Sequence, residues 1–152
     1  KELVEELYQS IRPLDDSRRM DVQQARDCLE SLSRHQPLRE ITRTSHAAAL
    51  FNTEGTLLAV AEDVGRHNAV DKVIGALLSD GCVPARETGL MVSGRASFEL
   101  VQKTLVAGMP LIAAVSAPSS LAVELAREFN VTLIGFLRGD NFNVYAAEER
   151  IA

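Results

Sequence analysis

The strongest constraint on this chain is the stretch AEDVGRHNAVDKVIGALL, residues 61–78. Its spacing predicts the end of a strand, a charged turn and an amphipathic helix in immediate succession. Val70, Val73, Ile74, Leu77 and Leu78 recur at helical spacing and predict the helix's buried stripe. The turn packs Glu62, Asp63, Arg66 and His67 into six residues around Gly65. A charged turn where a strand feeds a helix is where α/β domains seat ligands, because the first N–H groups of the helix lack partners. The same residues read equally as a solvated turn whose charges cap the helix.

At 152 residues the natural expectation is one domain. A chain of that size buries about two-thirds of the surface it exposes when unfolded, enough for a core. The net charge of −5 argues against a general nucleic-acid binder, which would be basic. It leaves room for a small phosphate ligand held by a few local donors. Cys28 and Cys82 are far apart and form no C-x-x-C, so neither a disulfide framework nor a four-cysteine zinc site is expected. No apolar run reaches the roughly 18 residues of a membrane span, and nothing resembles a signal peptide. A reducing, cytoplasmic setting is the default expectation.

The helical start occupies residues 1–40. A short helix is expected over 1–10, with Leu3, Val4 and Leu7 on one side, then a loop at Asp15, Asp16 and Ser17. Asp21 or a neighbour caps a second helix running to about Ser33, with Val22, Ala25, Leu29 and Leu32 inward and Cys28 packed in it. His35-Gln36-Pro37 breaks the chain again. The core, residues 41–146, opens with a hairpin: apolar runs over 44–51 and 56–62 flank Asn52-Thr53-Glu54-Gly55. After the helix of the charged turn come a strand over 89–93, a helix over 97–107, a strand over 111–116, a helix over 120–129 and a strand over 132–137. Residues 143–145 read as a short edge strand. Strands alternating with helices of about ten residues imply crossovers, hence a three-layer α/β/α sandwich on a mixed, mostly parallel sheet.

Four segments follow the strands: Glu62 to His67, Ser93-Gly94-Arg95-Ala96-Ser97, Ser116-Ala117-Pro118-Ser119-Ser120, and Arg138-Gly139-Asp140-Asn141. In a parallel sheet all four lie at the carboxyl ends of the strands. They bring arginines, a histidine, serines, glycines and three helix N-termini to one edge. Free N–H groups and the helix dipole attract anions there, and arginine adds bidentate phosphate donors. A phosphorylated small molecule is the simplest ligand that uses them all. Taken singly each piece has a plainer role. Ser97 and Ser120 read as N-caps, Arg66 and Arg95 as partners of Asp63 or Glu99, and His67 as a structural hydrogen-bonder. His46 reads as a satisfied core histidine, Lys103 as solvated, and Cys82 as a loop thiol with nothing beside it to lower its pKa.

The element order is also that of the cytidine-deaminase fold. Zinc deamination needs H-x-E on the helix after the hairpin and P-C-x-x-C at the next helix. Here those places read His67-Asn68-Ala69 and Gly94-Arg95-Ala96-Ser97. Neither a proton-shuttling glutamate nor a thiolate pair is present, so no zinc is expected. A phosphate site is expected where the metal would lie.

EDVGRHNAVDKVIG (62–75), SGRASFELVQK (93–103), AVSAPSSLAVELA (114–126) and TLIGFLRGDNFNVY (132–145) resemble the FdhD family of formate dehydrogenase accessory sulfurtransferases. The likeness runs in order from about His46 to Tyr145. The resemblance implies a deaminase-like fold without zinc. It implies that sulfur is received as a persulfide from a cysteine desulfurase and delivered to the bis-molybdopterin guanine dinucleotide of the formate dehydrogenase apoenzyme. It also implies a homodimer. The family's cofactor-binding segment corresponds to Phe136, Leu137, Arg138, Gly139, Asp140 and Asn141. Arg66, His67, Ser93, Arg95 and Ser119 are expected beside it on the strand-end argument alone. The family's persulfide cysteine lies in a C-x-x-C loop that neither Cys28 nor Cys82 matches. The chain therefore reads as a C-terminal domain cut after that loop, binding cofactor as cargo without carrying sulfur. Two other classes stay open: a nucleotide-binding assembly chaperone for a molybdoenzyme without sulfur transfer, and a zinc-less nucleotide enzyme on the deaminase fold.

Overall fold

The computed structural model describes residues 11–14 and 19–152. The expected helix over 1–10 and the loop at Asp15, Asp16 and Ser17 lie outside the described residues. Helix α1 spans Val22–Arg34. Asp21 starts it with a capping box: its carboxylate accepts the Gln23 N–H at 2.9 Å, and the Gln24 side chain accepts the Asp21 N–H at 3.1 Å. The expected chain break at Pro37 is instead the start of a second helix, α2, over Pro37–Thr42. Proline is at home there, because the first helical N–H has no partner to lose.

Strands β1 (His46–Asn52) and β2 (Leu57–Asp63) form the hairpin. The Asn52 side-chain oxygen accepts the N–H groups of Glu54 and Thr56, and Gly55 takes the positive φ the turn needs. The charged turn then launches α3, Arg66–Ser79. Alternation continues through β3 (Thr88–Val92), α4 (Phe98–Val106), β4 (Leu111–Ala114), α5 (Ser120–Glu128) and β5 (Thr132–Arg138). The last strand, β6, runs over Asn141–Ala146, longer than its sequence pattern predicts, and a 3-10 turn follows over Glu148–Arg150.

The strand order is β2-β1-β3-β4-β5-β6. Only β3–β4 and β4–β5 pair in parallel; the other three pairings are antiparallel. The expectation of a mostly parallel sheet therefore holds for direction rather than pairing. β2, β3, β4 and β5 all run one way, while β1 and β6 run against them. The carboxyl ends of those four strands consequently share one edge.

Alternate strand residues point to opposite faces and so build two cores. On one face Leu50, Leu90, Val92, Ile112 and Leu133 meet α3, α4 and α5 through Val70, Val73, Leu100, Val101 and Leu125. On the other, Phe51, Met91, Ala113, Ile134 and Leu137 meet α1 through Ala25, Cys28 and Leu32. This is the expected three-layer α/β/α sandwich. Leu78 departs from the predicted stripe and is 61% exposed. Val70, Val73 and Leu77 follow one line of the helix; Leu78 is a further 100° around, off that line.

Candidate functional site

The two acids of the charged turn are consumed in building it. The Asp63 carboxylate accepts the Gly65 N–H at 2.9 Å and the Asn68 amide at 3.2 Å, and pairs with Lys72 at 2.8 Å. The Lys72 bond foremost, then those from Gly65 and Asn68, hold its carboxyl down at about 2. Glu62 accepts the N–H groups of Leu38 and Arg39 at the start of α2 and the Ser45 hydroxyl. Asp63 thus pairs with Lys72 and not with Arg66. Among the described residues the side chains of Arg66, His67 and Arg95 form no hydrogen bond or ion pair. The Nε of Arg66 is buried without a partner. An orphaned guanidinium N–H shielded from water is costly unless something accepts from it.

Main-chain bonds strap the loops after β3, β4 and β5 together. Ser116 N–H donates to Gly94 O at 3.3 Å, Ser119 N–H to Ala96 O at 3.0 Å, and Phe136 N–H to Ser116 O at 3.2 Å. Arg138 Nε donates to Val115 O at 3.3 Å. Gly94 is the close-approach point. A Cβ there would lie 3.3 Å from His46 Nδ1 and 3.8 Å from Arg66 Cδ, so these two side chains flank the loop. Among the described residues His46 finds no side-chain hydrogen-bond partner, contrary to its reading as a satisfied core histidine.

The serines divide by role. Ser93 accepts the Ala47 N–H at 2.9 Å and ties β1 to the loop after β3. Ser119, not Ser120, caps α5 by accepting the Ala122 N–H at 3.2 Å. Ser97 stands at the N-cap of α4 but makes no capping bond; its buried hydroxyl has no well-formed hydrogen bond. Glu99 sits beside it. Its carboxyl is held below the usual range by its own backbone N–H first, with the Ser97 hydroxyl and the charges of His67 and Arg66 adding. The N-cap residues of α3 and α4, Gly65 and Ser97, thus make no side-chain capping bond, while Ser119 caps α5.

The turn from β5 to β6 completes the edge. Phe136 and Gly139 both take positive φ, and Phe136 stands 41% exposed. Leu137 points inward and is core, so its side chain is removed from any ligand. Gly139 and Asp140 form one wall of an open cleft of about 510 Å³ whose other wall is α1. The α1 residue Arg26 reaches across. It donates to Asp140 O at 2.6 Å and stands 3.5 Å from the Asp140 carboxylate. Arg26, His46 and Glu99 escaped the sequence reading as site residues. The signal for Arg26 is a contact 114 positions away in the chain, which no local pattern encodes.

The cysteines differ sharply. Cys28 is fully buried and donates to Gly55 O, and burial, then Asp27, push its thiol up to about 12. Cys82 is exposed. Among the described residues no three His, Cys, Asp or Glu side chains converge as metal ligands.

The structure is thus a three-layer α/β/α protein that gathers Arg66, His67 and Arg95 and the N-termini of α3 and α4 at one sheet edge, an arrangement suited to anions. The sequence profile of the FdhD/NarQ family matches residues 1–152, and the chain belongs to that family. It is 64% identical over 107 residues to the sulfur carrier protein FdhD of Streptomyces avermitilis, covering 70% of this chain and 38% of that one. It is 49% identical over 154 residues to the protein of that name from Anaeromyxobacter dehalogenans, covering 97% of this chain and 54% of the relative. A crystal structure from Desulfotalea psychrophila, assigned as a formate dehydrogenase accessory protein, superposes with a TM-score of 0.86 at 33% identity. That match covers 97% of this chain and 60% of the other. The chain spans about half the length of the curated relatives it matches.

Proposed function

We propose that this chain is the cofactor-binding domain of a sulfur carrier that serves formate dehydrogenase. In this reading the whole protein accepts sulfane sulfur from a cysteine desulfurase. It passes that sulfur to the bis-molybdopterin guanine dinucleotide destined for the formate dehydrogenase apoenzyme. The domain binds that molecule as cargo, acts as a homodimer and works in the cytoplasm. The names of the relatives support the sulfur-carrier role, and that of the structural neighbour supports the link to formate dehydrogenase.

The observation that carries the reading is Arg66. Its buried Nε has no partner among the described residues, and it lies beside two helix N-termini whose N-cap residues make no side-chain bond, which supports an anion as ligand. Arg66, Arg95 and Arg138 take the cargo's phosphates as bidentate donors. His67 orients a phosphate or the pterin. Asp140, acceptor-only when ionised, and Asn141, donor and acceptor, read polar edges of guanine or pterin. Phe136 offers an exposed aromatic face, and Gly139 leaves the backbone open to close approach. Ser93 and Ser119 contribute as scaffolding, since their hydroxyls already accept backbone N–H groups.

The persulfide itself needs an accessible thiolate. Cys28 is neither accessible nor easily ionised; Cys82 is exposed. In this reading neither thiol carries the sulfur, a point that persulfide analysis of Cys82 tests. Calorimetric titration with GDP, standing for one guanine-diphosphate arm, tests the reading. Wild type binds, and Arg95→Ala binds about tenfold or more weakly, as loss of a charge-assisted hydrogen bond requires. Absence of GDP binding, or equal affinity in the variant, contradicts it.

A further inference from the structure

We infer that Arg26, on the helical layer opposite α3–α5, is a positioning residue for the ligand-binding turn at residues 138–141. The inference rests on the reading above that this turn touches the cargo. Three observations carry it. The Arg26 guanidinium spans the turn's main chain and side chain at once, donating to Asp140 O at 2.6 Å and facing its carboxylate at 3.5 Å. Its Cζ lies over the ring of Phe142, the second residue of β6, 6.0 Å from the ring centroid. Its Nε is buried and unpartnered, so the side chain has been carried into the structure to reach this one place.

The turn needs such a hold. Gly139 has nothing within 4 Å of where a Cβ would stand, and the Asp140 side chain is 95% exposed. Left alone, a glycine-containing turn at positive φ samples many conformations, and a ligand would have to order it on binding. Arg26 removes that cost in advance. A lysine does this less well, because one ammonium cannot span carbonyl and carboxylate as a planar fork does.

Arg138 is anchored separately, through Nε to Val115 O, while Arg66 opens α3 and Arg95 lies between β3 and α4. Arg26 therefore governs the part of the site that reads the nucleoside, while the phosphate donors stand without it. This gives a signature that general destabilisation does not. In Arg26→Ala, GDP affinity falls about tenfold while pyrophosphate affinity stays within about twofold of wild type. Arg26→Lys recovers part of the GDP affinity. Amide hydrogen exchange at residues 139–141 rises in Arg26→Ala, with the strand amides of β3 and β4 unchanged.

Unchanged GDP affinity in Arg26→Ala, or a parallel fall for pyrophosphate, overturns the inference. If wild type binds neither ligand, the proposed function fails and exchange alone decides on Arg26. A rise confined to residues 139–141 upholds the clasp, and no rise overturns it.

Discussion

The two cysteines should differ in reactivity by a factor that the structure fixes. Cys28, on α1, is fully buried against β1 and β2, and its thiol is pushed from the ordinary 9.0 up to about 12, by burial first and then by the Asp27 charge. At pH 8 a thiol titrating at 9.0 is roughly one-tenth thiolate, and one at about 12 is roughly one ten-thousandth. Because only the thiolate attacks, the intrinsic rate at Cys28 is about a thousandfold below that of an ordinary thiol, before its lack of access slows it further. Cys82 is exposed and open to reagent. Iodoacetamide at pH 8, followed by intact mass and peptide mapping, should add one label, on Cys82. The second should appear only in denaturant. Incubation with a desulfurase and its substrate should leave no stable persulfide on either thiol. Labelling of native Cys28 within about tenfold of the Cys82 rate would refute the burial argument. A stable persulfide on Cys82 would refute the view that sulfur is carried elsewhere in the protein.

Two further outcomes probe the scaffold. Asp63 titrates lower folded than unfolded, so it contributes stability above its unfolded pKa and loses it as pH falls from about 4 towards about 2. Melting curves of wild type and Asp63→Asn should accordingly differ at pH 7 and converge below pH 3; parallel curves would show that the turn does not depend on the charge. At Gly89 an added Cβ would stand 2.5 Å from Cζ of the buried Phe51. Gly89→Ala should cost about 1–3 kcal/mol by urea denaturation, and adding Phe51→Leu should return part of it.

What could be read in the sequence was whatever local chemistry decides. The line Val70, Val73, Leu77 and the alternation of Leu90 and Val92 against Met91 follow directly from helical and strand periods, and so do the two cores they build. Asp21 announced its cap, and the order of elements placed four strand ends on one edge. What was hidden is long-range. Glu62 belongs to the charged turn in sequence, but its partners are Leu38 and Arg39 on a short helix that opens at Pro37, and Ser45 just before β1. Four of the six strands run one way as the alternation implies, but only two pairings are parallel, because β1 inserts between β2 and β3 and β6 returns against β5. At the candidate site, Arg66 and Arg138 are candidates by their place at the strand ends, whereas Leu137 comes with its segment, although the bulge at Phe136 turns its side chain into the same core as Ile134 and no local pattern marks that bulge. Arg26 needed the fold itself.

The central claim is that the carboxyl edge of the sheet binds a guanine-diphosphate group, and amide chemical-shift mapping of this chain during GDP titration tests it most directly. Shifts should concentrate at residues 65–67, at 94–98 and at 139–141, and saturate together at one affinity. Shifts confined to the opposite edge, around the hairpin turn at residues 53–55 or the loop at 108–110, would contradict the account.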